Sequence, residues 1–85
     1  MKYRIIFLPV ARKEILALPH EAQKRIDRKI LALADDPRPH DGNALQGEKE
    51  LYRVRVGDYR IVYGVEDKII TVVIVSVGHR KDVYR

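Results

Sequence analysis

Residues 51–63 read LYRVRVGDYRIVY. This stretch decides the fold, because apolar and aromatic side chains alternate with other residues on both sides of Gly57-Asp58. Such alternation predicts two half-buried β-strands, and a glycine followed by an aspartate between them predicts a two-residue turn. We therefore expect a β-hairpin whose strands run from Leu51 to Val56 and from Tyr59 to Val65.

The turn also predicts which side chains share a face of the hairpin, because successive residues of a strand point to opposite sides. A two-residue turn places Arg55 opposite Arg60, and Arg53 then shares their face. The residues expected on the other face, against the helices, are Tyr52, Val54, Val56, Tyr59, Ile61 and Tyr63. A shift of one residue in the turn would separate the arginines.

Two arginines facing each other across a strand pair do not help the fold. Like charges at directly opposite positions cost a few tenths of a kcal/mol to about 1 kcal/mol. Guanidinium groups that point the same way from a rigid sheet suit a polyphosphate ligand, since each offers a planar fork of donors and keeps its charge. The alternative is an exposed strand edge that uses arginines to resist aggregation.

The segments that flank the hairpin complete an α+β domain, expected to span residues 1–85 as one unit. Lys68 to Val77 predicts a third strand, and its run IITVVIV has apolar residues at both alternating positions, which favours an interior strand covered on both faces. Upstream, the pattern predicts a strand at residues 2–8, helices at residues 10–18 and 19–36, and a loop at residues 38–48. The expected architecture is an N-terminal β-strand, a two-helix hairpin and a three-stranded antiparallel meander, with the helices packed on one face of one sheet.

The composition limits the classes of function. Seventeen Lys and Arg against twelve Asp and Glu give a net charge of +5, which indicates either attraction to polyanions such as nucleic acid or only a solvated basic surface. The chain has no cysteine, and its three histidines are scattered, so we expect no disulfide, no metal site and no cofactor. No apolar run approaches the roughly 20 residues of a membrane span. Nor does the N-terminus read as a signal peptide, and a cytoplasmic protein without a membrane partner is expected.

The C-terminal segment adds further polar and aromatic groups. Gly78 allows the chain to bend as it leaves the sheet, which would bring His79, Arg80 and Tyr84 near the arginine face. A tyrosine beside arginines can stack on an unpaired base or bind a phosphate, or it can simply cover the core.

Two strings in the C-terminal half resemble the RelE branch of the RelE/ParE toxin superfamily. They are LYRVRVGDYRIVY at residues 51–63 and SVGHRKDVY at residues 76–84. Leu18-Pro19 between the helices and NALQG at residues 43–47 are similar to that family as well, so the resemblance spans essentially the whole chain.

The resemblance implies a toxin of a type II toxin-antitoxin system, with the RelE-like fold. Such a toxin is a metal-independent endoribonuclease that acts on messenger RNA in the decoding site of the ribosome, where the ribose 2′-hydroxyl attacks the adjacent phosphate. The resemblance also implies a RelB-like antitoxin, encoded beside the toxin, that binds it in a hetero-oligomer. A basic sheet face would attract an acidic, partly disordered segment of such a partner.

The family's catalytic positions correspond to Arg53, Arg55, Arg60, Arg80 and Tyr84. In these roles Arg55 and Arg60 neutralise the phosphorane, Arg53 holds a flanking phosphate or assists the attacking hydroxyl, Arg80 meets the leaving oxygen, and Tyr84 stacks on or orients the nucleotide. The expected further contacts to RNA are His79, Lys81, Arg85, Lys24 and Arg28.

One departure from the family concerns the general base. The best-known members have lysines at the first-strand positions, and an arginine cannot give up its proton in the same way. The base is therefore open among His79, Tyr84, an rRNA or water group, and no discrete base; Glu48 and Glu50 are less favoured carboxylates.

Two other functions remain open at the level of the sequence. A ParE-like gyrase poison shares the fold, but that branch generally lacks the arginine and terminal-tyrosine set. A plain nucleic-acid-binding module would use the helix face that carries Lys24, Arg25, Arg28 and Lys29.

Overall fold

The computed structural model describes residues 2–40, 42–44 and 51–79. The elements in chain order are β1 (Arg4–Phe7), α1 (Pro9–Leu16), α2 (His20–Asp35), β2 (Asn43–Ala44), β3 (Leu51–Val56), β4 (Tyr59–Glu66), a 3₁₀ turn (Asp67–Ile69) and β5 (Thr71–His79). The predicted order of strand, two helices and meander is confirmed, and the short strand β2 lies inside the segment expected to be a loop.

The strands form one five-stranded sheet in the order β1-β5-β4-β3-β2. The meander β3-β4-β5 is antiparallel as expected, and β2 adds to it antiparallel to β3. By contrast, β1 pairs parallel with β5, so the sheet is mixed and not antiparallel throughout. A four-residue strand carries no signal of its partner's direction, and the two helices between β1 and the rest of the sheet allow a parallel neighbour.

Both helices pack on the same face of the sheet. Pro9 begins α1, where a proline fits because the first helical N–H has no acceptor within the helix. The buried stripe of α2 is Ala22, Ile26, Ile30, Leu33 and Ala34. Of these, Ile26, Ile30 and Leu33 join Val54, Ile61 and Tyr63 of the hairpin in one core, which confirms the predicted helix-facing side. The helices do not cover the opposite face of the hairpin.

A β-bulge in β5 explains why its apolar residues occupy both alternating positions. Val62 pairs with Ser76, whereas the next residue, Tyr63, pairs with Ile74, so Val75 is an extra residue in the ladder. The extra residue reverses which side chains point inward, and both Ile74 and Val77 are therefore buried in the core. β5 lies between β1 and β4, which confirms the expected interior position, and none of its described side chains is exposed.

The connection between β4 and β5 also differs from the expected turn at Glu66-Asp67. Strand β4 continues through Glu66, and the 3₁₀ turn follows. Ile70 completes the connection in the left-handed region with φ of 50°. Residues 68–70 therefore belong to the turn, and β5 begins at Thr71 instead of Lys68. Isoleucine is β-branched, which favours a strand, and it rarely adopts positive φ. For both reasons the sequence predicted that Ile70 belongs to the strand.

Glu14 of α1 binds β5 beyond the point where its pairing with β1 ends. β1 ends at Phe7, which pairs with Ile74, and no other strand of the described residues pairs with β5 on this side beyond that point. The Glu14 Oε1 atom accepts the backbone N–H of Val77 at 2.8 Å and the hydroxyl of Ser76 at 3.1 Å. The carboxylate thus satisfies polar groups next to the bulge and helps to define the end of β5.

The segment after α2 is held against the helix-facing aromatic residues of the hairpin. Tyr52 and Tyr63 stack with ring centroids 5.7 Å apart. The Tyr63 hydroxyl donates to the Pro37 carbonyl oxygen at 2.8 Å, and Nε of Arg38 donates to the Tyr52 hydroxyl at 2.8 Å. These contacts bring the chain back to the sheet just before β2.

Asp67 of the 3₁₀ turn connects this segment to the N-terminus. The Arg38 guanidinium lies 2.8 Å from its carboxylate, and the Tyr3 hydroxyl donates to it at 2.7 Å. The hydrogen bonds from Arg38 and then Tyr3 lower the pKa of Asp67. Hydrogen bonding to the carboxylate raises the pKa of Tyr3, because loss of the phenolic proton would place two negative charges side by side. The hydrogen bond to Asp67 likewise raises the pKa of Arg38.

Candidate active site

The β3–β4 hairpin places three arginines on one face of the sheet. Arg55 lies directly opposite Arg60, and Arg53 lies opposite Val62 on the same side, so the predicted register is confirmed. Gly57 makes this register possible because it adopts φ of 58° in the two-residue turn, a conformation that other residues rarely adopt. The arginines therefore point away from the core that the helices cover.

The arginine cleft is a depression of about 290 Å³ in this face. The described residues that line it are Asn43, Arg53, Val54, Arg55 and Arg60. The three cations differ in burial: Arg60 is only 8% exposed, Arg53 is half-buried, and Arg55 is exposed. A buried guanidinium has few accessible rotamers, so Arg60 is ordered before any ligand arrives, while Arg55 lies open to an incoming anion.

The charge and shape of the arginine cleft suit a phosphodiester. An arginine side chain has five N–H donors and no acceptor, and it does not lose its proton in proteins. Arginines at adjacent positions can hold the non-bridging oxygens of one phosphate, or two successive phosphates of a chain, by charge-assisted hydrogen bonds. The described lining of the cleft therefore offers donors that can stabilise negative charge.

His79 does not lie on the arginine face. It pairs with Tyr59 across the β4–β5 ladder, and the two rings meet edge to face with centroids 5.9 Å apart. Since Tyr59 packs against the core on the helix side, His79 faces that side too. The expectation that a bend at Gly78 brings His79 to the arginines is wrong, because Gly78 lies within β5, which continues through His79. A contact of His79 to RNA stays a prediction.

The remaining C-terminal predictions lie outside the described residues, which end at His79. They concern Arg80, Lys81, Tyr84 and Arg85, all of which stay predictions. Glu48 and Glu50, the less favoured carboxylates, also lie outside the described part of the chain.

The basic residues of α2 lie apart from the arginine cleft. Lys24 and Arg28 are exposed on α2, whose buried stripe packs on the opposite face of the sheet. They therefore belong to a second basic surface. Arg25 is also exposed but reaches the hairpin turn, where a Cβ added to Gly57 would lie 2.8 Å from its Nη2 atom.

Asn43 is the residue of the arginine cleft that the sequence interpretation did not assign to the site. It lies on β2 directly opposite Arg53, so its side chain is on the arginine face. A two-residue strand after a loop rich in proline and glycine gives no alternation from which to predict a face. The available signal was its place at the start of the NALQG string.

Neither a metal site nor a membrane span is found in the described residues. Within residues 2–40, 42–44 and 51–79, no three His, Asp or Glu side chains are grouped so that they could hold a metal ion. No helix in this part of the chain is long and apolar enough to cross a bilayer.

Comparison with known proteins places these features in a family. A family model described as "ParE toxin of type II toxin-antitoxin system, parDE" matches residues 5–84. The chain is 30% identical over 83 residues to the mRNA interferase toxin RelE of Escherichia coli, which covers 95% of this chain and 86% of that protein. It is 32% identical over 90 residues to toxin RelG of Mycobacterium tuberculosis, covering 100% of this chain and 99% of that protein. The crystal structure of the archaeal RelE-RelB complex from Pyrococcus horikoshii contains a chain that superposes with a TM-score of 0.84 at 30% identity, covering 96% of this chain and 99% of that one.

Proposed function

The chain belongs to the RelE/ParE toxin superfamily as a RelE-like member, and from this premise we propose that it is a type II toxin that cleaves messenger RNA on the ribosome. The observation that carries the proposal is the Arg55–Arg60 pair in the arginine cleft. Repulsion between the two positive charges destabilises the strand pair and does not help the fold. Two adjacent guanidinium groups do match the negative charge that develops on a phosphodiester under attack.

In the proposed reaction the ribose 2′-hydroxyl attacks the adjacent phosphorus atom, and the bond to the 5′-oxygen of the next nucleotide breaks. The products are a 2′,3′-cyclic phosphate, or the 3′-phosphate formed when water opens it, and a 5′-hydroxyl end. Arg60, ordered by burial, and Arg55, open to solvent, neutralise the pentavalent phosphorane as its negative charge grows. Arg53, beside them on β3, holds a flanking phosphate or assists the attacking hydroxyl.

Arg80 and Tyr84 complete the proposed site by correspondence with the family. Arg80 stabilises the leaving 5′-oxygen, and Tyr84 stacks on or orients the nucleotide. The general base is open among Tyr84, an rRNA or water group, and no discrete base, and His79 is the weakest candidate because its ring contacts Tyr59 on the other face. Holding the 2′-hydroxyl in line with the scissile bond accelerates the reaction further through proximity. The toxin shares this positioning with the ribosome.

A RelB-like antitoxin is the proposed protein partner. Support comes from the solved archaeal complex of RelE with RelB, in which the toxin chain covers nearly the whole of this one. An acidic segment of such a partner would fold onto the basic arginine face and exclude RNA from it. The proposed place of action is the cytoplasm, where ribosomes and messenger RNA meet, and no metal or cofactor is required.

A ParE-like gyrase poison is the second candidate, because the matching family model carries the ParE description. The arginine cleft argues for RNA over a protein target, since its lining is dominated by donors suited to phosphates.

Induction of the chain without its antitoxin, followed by transcriptome-wide mapping of RNA 5′ ends, tests the proposal. We expect growth arrest and new 5′-hydroxyl ends inside translated codons. Induced DNA breaks without such ends would support the gyrase poison, and arrest with neither product would overturn both. Arg60→Ala and Arg80→Ala should lose the cuts, while Lys68→Ala, on the exposed 3₁₀ turn, should keep them.

A further inference from the structure

Asn43 differs chemically from the other polar residues of the arginine cleft. Among the described lining residues, the arginines are donors only, whereas the Asn43 amide offers both an acceptor oxygen and two N–H donors. Phosphate oxygens accept hydrogen bonds and do not need such a group. A nucleobase edge presents donors and acceptors side by side, and that pattern is complementary to a carboxamide.

The register places Asn43 to one side of the arginines that are proposed to bind phosphate. It faces Arg53 across the β2–β3 ladder. The opposed pair Arg55–Arg60 lies two residues further along β3, which is roughly 7 Å at the usual rise of a strand. A group at this distance from a bound phosphate meets the nucleoside attached to it.

The fold holds β2 at this position from the opposite side. Ala44 pairs with Tyr52, whose ring packs on the core side, so Asn43 must point to the arginine face. A hydrogen bond from the Tyr63 hydroxyl to the Pro37 carbonyl oxygen holds the preceding loop to the sheet. Within the loop, the Gly42 N–H donates to the Pro39 carbonyl oxygen at 2.9 Å. A Cβ on Gly42 would lie 3.3 Å from the Tyr63 hydroxyl oxygen, so the loop packs closely here.

We propose that Asn43 contacts the edge of a base next to the scissile phosphate and thereby sets part of the sequence preference of cleavage. The inference rests on the proposed ribonuclease function and adds a residue that distinguishes one nucleotide from another. The arginines bind the backbone of any RNA, and Asn43 supplies the hydrogen bonds that depend on the base.

The test measures cleavage by the purified chain on ribosomes programmed with messenger RNAs that differ only in the codon at the decoding site. The native chain, Asn43→Ala and Asn43→Asp are compared at each codon. Aspartate keeps the shape and the acceptor oxygen but loses the donors, so it serves as the second variant if alanine disturbs β2. Its negative charge beside Arg53 lowers the rate at every codon alike, and the ratio of rates between codons is therefore the quantity compared. Circular dichroism melting checks that each variant is folded.

We expect both variants to change the ratio of rates between preferred and disfavoured codons by about tenfold, the discrimination that one pair of amide–base hydrogen bonds contributes. An equal fall at every codon, or no change, would overturn the role in base recognition. A native chain that cuts all codons at one rate would overturn it too. A native chain that cuts no messenger RNA on any ribosome would instead contradict the proposed function, so the two failures are distinguishable.

Discussion

Arg55 of β3 lies directly opposite Arg60 of β4, on the face of the sheet that the helices leave open. The side chain of Arg60 is buried and that of Arg55 is exposed, so one guanidinium is already ordered and the other meets solvent. In the proposed active site, this arrangement would stabilise the transition state at the expense of the folded protein.

Replacing Arg55 with glutamine should therefore separate activity from stability. The variant removes the like-charge pair, and we expect the free energy of unfolding in urea to rise by a few tenths of a kcal/mol to about 1 kcal/mol. Cleavage on the ribosome should fall by about 100-fold or more, as when one preorganised donor is lost. Lys68→Gln is the matched control, since it removes an exposed charge from the 3₁₀ turn and should change neither quantity. A destabilised Arg55→Gln with full activity contradicts this account.

Gly57 should be sensitive to substitution because of its positive φ and the proximity of Arg25. Gly57→Ala is expected to cost about 1 kcal/mol, the usual penalty of a left-handed L-residue, and Gly57→Asn less, since asparagine tolerates this region. Urea denaturation of both variants measures the difference. If alanine and asparagine are equally harmless, the turn does not depend on the backbone freedom of glycine.

Glu14 should stabilise the end of β5 through its hydrogen bonds to Val77 and Ser76. Glu14→Ala leaves the N–H of the buried Val77 without that acceptor, at a cost of about 1–3 kcal/mol. Glu14→Gln keeps a carbonyl oxygen at the same place and should restore most of the loss. Hydrogen exchange at the Val77 amide reports the effect locally, and unchanged protection in Glu14→Ala would exclude the role.

The Asp67 cluster should give stability a dependence on acid pH. The pKa of Asp67 is lowered in the folded state, so its contribution is present above the ordinary value of about 4 and disappears as the pH falls through the lowered value. Asp67→Asn should thus be less stable than the native chain at pH 7, and the gap should close in strong acid. The pKa of Tyr3 is raised, so its contribution is present below about pH 10 and is lost as the pH rises through the raised value. Thermal melts of the native chain and of Asp67→Asn across the pH range measure the difference in stability. A constant difference from neutral to strong acid would show that the charge of Asp67 does not contribute.

The hairpin and its register were predictable because one local signal determines them. Gly57-Asp58 between two alternating runs specifies the turn, and the turn specifies that Arg55 meets Arg60. The amphipathic stripe of α2 was visible for a similar reason, since its buried residues recur every three or four positions.

Features that depend on tertiary contacts were not predictable in this way. The bulge at Val75 reverses the inward face of β5, and its neighbouring backbone is satisfied by Glu14, more than 60 residues away. The same reversal places His79 against Tyr59 instead of the arginines. Asn43 reaches the cleft through its pairing with Arg53, and hydrogen bonds from distant side chains hold the preceding segment to the sheet.

Single-turnover cleavage of messenger RNA bound to ribosomes, compared for the native chain, Arg60→Lys and Arg60→Ala, tests the central claim most directly. We expect the planar, buried guanidinium of Arg60 to be required, so that lysine recovers only a small part of the rate lost in the alanine variant while both stay folded. Cleavage by Arg60→Ala at the native rate would contradict the assignment of the arginine cleft as the catalytic centre.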